Sequence, residues 1–169
     1  MSKESLLADV RRARAEFLAA IAGLSEKEMV QPGAAGIWSV KDILAHLVSW
    51  EAELVTALSR PLSQRYAHAP DIVRIDDIDE WNDEQYHMNA RRPLDIIRQD
   101  FEGVHKHLLR AIEDLDEATL EAPLRFEWME GEPLAYLIME TAVWHEQEHA
   151  EDIRAWRKRR DPALPDPPP

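Results

Sequence analysis

Apolar residues recur every three or four positions in four separate stretches of this chain, and alternating runs are nearly absent. That period belongs to amphipathic α-helices with one buried face. The first stretch opens at Ser2, an N-cap residue, and carries Leu6, Val10, Ala13, Phe17, Ile21 and Leu24 on one stripe. A cluster of breakers, Gln31 to Gly36, then imposes a loop. The second helix starts at Ser39, followed three residues later by Asp42, a start signal related to the capping box. Its stripe is Val40, Ile43, Leu44, Leu47, Leu54 and Leu58, and Arg60-Pro61 ends it.

Residues 61–75 read as an irregular connection, with a short helix beginning at Asp76 or Asp79 and covering Trp81 to Tyr86. Pro93 suits the first turn of a third long helix, which buries Leu94, Ile97, Phe101, Val104, Leu108 and Ile112. Residues 116–131 form a further connection. Pro133 then opens a fourth helix running to near Arg159, with an inner stripe of Leu134, Leu137, Ile138, Thr141, His145, His149, Ile153 and Trp156. The expectation is an all-α four-helix bundle with a long crossover between the second and third helices. Residues 1–160 make one domain, and the proline-rich tail 161–169 is expected to be disordered.

Charge narrows the function classes. Against 20 Lys and Arg stand 33 Asp and Glu, a net charge of -13, which argues against a nucleic-acid partner. The basic run Arg157 to Arg160 ends the last helix, where cations complement the helix dipole. With no cysteine, disulfides, thiol nucleophiles and zinc ribbons are excluded. The charged N-terminus lacks a signal-peptide core and no window is apolar enough to span a bilayer, so a soluble cytoplasmic protein is expected, with no membrane partner.

His145-Glu146-Gln147-Glu148-His149 carries the chemistry. Positions i and i+4 share a helix face, so both imidazoles can reach one ion. His46, on the second helix, supplies a third ring, and three neutral imidazoles with an open fourth position suit a catalytic divalent metal. The plainer account is a pair of core histidines bonded to Glu146, Glu148 or Asp152. His105 points inward and is the next choice for third ligand. His107, His68 and His87 are expected to be solvated, as are Glu51 and Glu148.

The same five residues match His-Glu-x-x-His, in which Glu146 would act as general base on a metal-activated water. A peptidase of that kind also needs a later third ligand and an edge strand, and neither is evident. Tryptophans are numerous for the size: Trp38, Trp50, Trp81, Trp144 and Trp156 pack the core or a lid. A sharper account has Trp50 and Trp81 walling a pocket, with Glu53 as a carboxylate behind the ligands.

The segment Trp38-Ser39-Val40-Lys41-Asp42-Ile43-Leu44-Ala45-His46-Leu47, with His145 and His149, resembles the DinB-like superfamily of metalloenzymes. The resemblance runs from Leu6 to Trp156. It implies up-down-down-up topology, a three-histidine site for a divalent metal such as zinc or nickel, and a homodimer. It also implies a low-molecular-weight thiol as co-substrate in some members. Ile78 to Glu84, followed by Arg92-Pro93-Leu94, is similar to the branch containing the colibactin self-resistance protein. That branch implies hydrolytic inactivation of an electrophilic small molecule, although its members do not all keep the metal histidines.

Two functions follow from these features. One is a metal-dependent hydrolase or thiol transferase acting on a small-molecule substrate at His46, His145 and His149. The other is a non-catalytic binding or self-resistance protein that sequesters its ligand, with a structural metal or none.

Overall fold

The computed structural model describes residues 1–59, 77–122 and 131–162. Every regular element among them is helical. In chain order these are α1 (Lys3–Ile21), α2 (Glu26–Met29), α3 (Val40–Ser59), α4 (Ile78–Asn89), α5 (Leu94–Glu113), α6 (Glu117–Glu121), α7 (Leu134–Met139), a π-helical stretch (Glu140–Trp144) and α8 (His145–Arg160). The expected four long helices are therefore α1, α3, α5 and the α7–π–α8 run.

Local chemistry sets the starts. Ser2 Oγ accepts from the Ser5 amide at 3.2 Å. At α3 the pairing is reciprocal: the Ser39 amide donates to Asp42 Oδ2 (2.9 Å), and the Asp42 amide donates to Ser39 Oγ (3.2 Å). Asp77 caps α4 through the Glu80 amide at 3.0 Å, which places the start between the two expected positions. α6 departs from expectation, since residues 116–131 read as a connection, and α2 forms just before the expected loop, where no element is expected. α2 carries a complete capping box between Ser25 and Glu28, and Asp116 caps α6 through Thr119. The expectations for Arg60-Pro61, residues 61–75, His68 and most of the tail lie outside the described residues.

Cross-helix contacts fix which ends meet. Lys3 Nζ donates to the carbonyls of Glu113 and Leu115, so the start of α1 lies beside the end of α5. Arg157 Nη1 donates to the carbonyls of Ala20 and Ala22, so the ends of α1 and α8 lie together. α3 packs most extensively on α5, and α1 on α8.

The apolar interior falls into two clusters. One gathers Leu6 to Ala13 with the second halves of α3 and α5 and with α7. The other gathers Phe17 and Ala20 with the first halves of α3 and α5, and with Ala150, Ile153 and Trp156 of α8. At the junction each long helix places one polar residue: Arg14, Glu51, His105 and Glu146. The first, second and fourth are buried to 6%, 0% and 0% exposure. This corrects the expectation that Glu51 is solvated; Glu148 is exposed as expected.

Candidate metal centre

His46 lies in the first half of α3 at 7% exposure. The loop before α3 folds back on itself: the amides of Gly33 and Ala34 donate to the Trp38 carbonyl, and Gly33 has a φ of +108° that only glycine adopts cheaply. Trp38 thereby lies against His46, with ring centroids 4.8 Å apart.

His145 opens α8 directly after the π-helical stretch. Its backbone amide reaches back five residues to the Glu140 carbonyl instead of four to Thr141. The Thr141 carbonyl accepts from the His145 imidazole. His149 follows one turn later, its Nδ1 3.2 Å from Asp152 Oδ2. Outer-nitrogen bonds of this kind fix the tautomer and aim of a ligating histidine.

The three rings converge. His46 Nε2 and His145 Nε2 are 2.8 Å apart. Centroid separations are 4.7 Å (His46–His145), 5.2 Å (His46–His149) and 4.9 Å (His145–His149). One ring nitrogen from each lies within 4.8 Å of the other two. Burial drives His46 down to about 2, helped by His145 and His149, and drives His145 down to about 3. His149 is lowered by burial too, with Asp152 opposing. All three are neutral near pH 7 and carry lone pairs, and the buried Nδ1 of His46 has no partner. Three neutral nitrogen donors aimed at one point fit a divalent first-row metal.

Aromatic residues surround the group. Trp50 meets His46 and His145 edge-on and packs against Trp81 at 4.5 Å, and its Nε1 donates to Asn82 Oδ1 at 3.0 Å. A cleft between α3 and α4 is lined by Trp38, His46, Asn82, Gln85 and Tyr86, among others. Trp50 thus lies against two of the histidines, Trp81 packs on Trp50, and neither is among the residues lining the cleft. Glu53 is half-buried and lies outside the cleft lining. Of the remaining tryptophans, Trp156 is buried and Trp144 is exposed.

Glu146 is not brought to the histidines. It faces the bundle centre, where Arg14 Nε donates to its Oε1 at 2.8 Å. Arg14 also donates from Nη1 to the Phe101 carbonyl (2.7 Å) and from Nη2 to Glu51 Oε1 (2.7 Å), with its guanidinium over the Phe101 ring. Burial, reinforced by Glu51 against the opposing Arg14, pushes Glu146 up to about 9, so its carboxyl holds a proton at neutral pH. His105 joins this layer, not the three-histidine group, and burial lowers it to about 4. His87 and His107 are exposed as expected.

Sequence reading missed Arg14 and the burial of Glu51, yet both interrupt apolar periods. Glu51 occupies the Leu44, Leu47, Leu54, Leu58 stripe, and Arg14 lies seven residues after Leu7 and seven before Ile21. A charge on a core stripe is the readable signal.

Comparisons place the chain. No curated protein matches it. Among solved structures, an uncharacterised protein from Escherichia coli UTI89 is similar at 14% identity over 96% of both chains, with a TM-score of 0.73. A protein from Streptococcus pneumoniae is similar at 15% identity, over 94% of this chain and 91% of that one, with a TM-score of 0.76. The protein described as Sibling Lethal Factor Precursor DfsB is similar at 17% identity, over 95% and 98%, with a TM-score of 0.77. At these identities the likeness speaks to the fold. The family model of the DinB superfamily matches residues 9–153, and the chain belongs to that superfamily.

Proposed function

We propose that this chain is a divalent-metal-dependent enzyme acting on a small molecule, with His46, His145 and His149 as the metal ligands. The observation that carries the reading is the convergence of three neutral imidazoles, two buried and one half-buried, beside an aromatic-walled cleft. When bound, a zinc or nickel ion would lower the pKa of a water or a thiol at its open position. Asp152 and Thr141 aim the rings of His149 and His145. Trp38 and Trp50 shield the rings from solvent, which strengthens every charge interaction there. Asn82 and Gln85 line the cleft with amide groups that would orient a polar substrate. The family resemblance supports hydrolysis or thiol transfer as the reaction, a low-molecular-weight thiol as co-substrate, and a homodimer.

One observation favours sequestration as the second reading. Glu146, the acid–base candidate of the His-Glu-x-x-His motif, is committed to Arg14 and does not serve the cleft. The two readings separate in a screen of electrophilic small molecules, with and without added thiol, before and after chelation. The expected result is hydrolysis or thiol conjugation that stops on chelation while helicity persists, and returns with zinc or nickel. Tight binding without turnover in the metal-loaded protein would overturn the enzymatic reading in favour of sequestration.

A further inference from the structure

The layer between the two apolar clusters has an imbalance that its own contacts leave unresolved. Arg14 spends its Nε, Nη1 and Nη2 donors on Glu146 Oε1, the Phe101 carbonyl and Glu51 Oε1. Both bonds to the carboxylates fall on Oε1. The second oxygens, Glu51 Oε2 and Glu146 Oε2, are buried with no partner, and so is Nδ1 of His105. One ligand atom from each of these three residues lies within 4.8 Å of the others. Both glutamates have 0% exposure, so bulk solvent does not reach them. Buried acceptors without donors are costly; the proton that Glu146 holds beside Glu51 offsets part of that cost, and a cation between the three residues would take its place.

We propose that Glu51, His105 and Glu146 form a second cation site, one step deeper in the bundle than the three histidines. The donor set is two carboxylates and one imidazole, contributed by α3, α5 and α8. Oxygen-rich sets of this kind favour manganese or ferrous iron, whereas an all-imidazole site favours zinc or nickel. Facing helices of a bundle are a usual place to build such a site. Arg14 has the role of a group that holds ligating carboxylates by their other oxygens, fixing their aim. His105 is half-buried and offers the route from solvent. The inference does not depend on what the three-histidine site does.

The test uses the full chain and manganese, followed by the loss of the sharp resonance of the free ion in electron paramagnetic resonance. The protein is stripped of metal, its histidine site is filled with zinc, and manganese is titrated in. In parallel, the His46→Ala/His149→Ala variant is titrated without zinc. One equivalent of manganese is expected in both cases. It is expected to be lost in Glu51→Gln, whose amide still accepts from Arg14, and in His105→Ala, whose partly exposed ring is dispensable for packing. Far-UV circular dichroism checks that each variant is folded. No manganese uptake by folded protein in either titration would overturn the proposal, leaving the two carboxyls to share a proton. Uptake indifferent to both Glu51→Gln and His105→Ala would overturn it equally, by placing the ion elsewhere.

Discussion

Arg14→Met is expected to destabilise the fold by about 3–5 kcal/mol, the usual cost of removing one partner from a buried charge network. For a chain of this size that lowers the melting temperature by about 6–20 °C. The reason is the position of Arg14 at the junction of all four long helices. Its guanidinium, on α1, bonds Glu51 of α3, the Phe101 carbonyl of α5 and Glu146 of α8. Without it, the Glu51 carboxylate, the Glu146 carboxyl and a backbone carbonyl lose their donor at once. Apolar replacement of the whole set should behave differently, because it removes the charges as well as the partner. Arg14→Met/Glu51→Leu/Glu146→Leu is therefore expected to regain most of the lost stability. Thermal and urea unfolding of the two variants checks this; a single substitution within about 1 kcal/mol of wild type would sink the account of the layer.

The layer also shows where sequence reading stops. The long helices are legible because their apolar periods are regular and their caps, Ser2 and Ser39-x-x-Asp42, lie at fixed offsets. The three histidines are legible because i,i+4 spacing is itself a statement about a helix face. The π-helical stretch is not legible: one displaced hydrogen bond, from the His145 amide to the Glu140 carbonyl, leaves the residue pattern nearly unchanged. It nonetheless frees the Thr141 carbonyl for the His145 ring. Glu146 illustrates the consequence, since adjacent helical positions point about 100° apart and a small rotation decides which of two sites it joins. Glu51 is legible in principle from its place on the apolar stripe, but charge is normally outside, and that rule points the wrong way here. The short α2 was equally readable, from Ser25 and Glu28.

In the metal-free protein, stability is expected to peak near pH 6.5 and to fall on acidification. Burial holds His46 down to about 2 and His145 down to about 3, against an ordinary imidazole value of 6.5. Below 6.5 the unfolded chain binds protons that these folded rings refuse. Their contribution is present above 6.5 and is lost as pH falls toward the folded values. Each loses about 1.4 kcal/mol per pH unit, so the pair costs about 4 kcal/mol by pH 5. Glu146 acts with the opposite sign, its folded value being raised to about 9 from 4.5. What it contributes is present below 4.5 and is lost as pH rises toward 9. His105, lowered to about 4, and His149, lowered by burial, act in the same direction as His46 and His145, so the refused protons outweigh the one retained and stability falls below 6.5; above 6.5 Glu146 makes stability decline. Urea midpoints of chelated protein from pH 4.5 to 9 measure both limbs. Glu146→Gln is expected to flatten the alkaline limb and keep the acid one. A midpoint unchanged between pH 7 and pH 5 would contradict the neutral, buried state of the histidines.

The claim on which the proposed function rests is that His46, His145 and His149 hold one metal ion together. Elemental mass spectrometry on tag-free wild type, His46→Ala and His149→Ala, each reconstituted with zinc or nickel and freed of excess, tests it most directly. Each substitution is expected to remove one equivalent of divalent metal while the helical content stays the same. Equal metal content in all three proteins, or none in reconstituted wild type, would contradict it and return the histidines to the packing of the core.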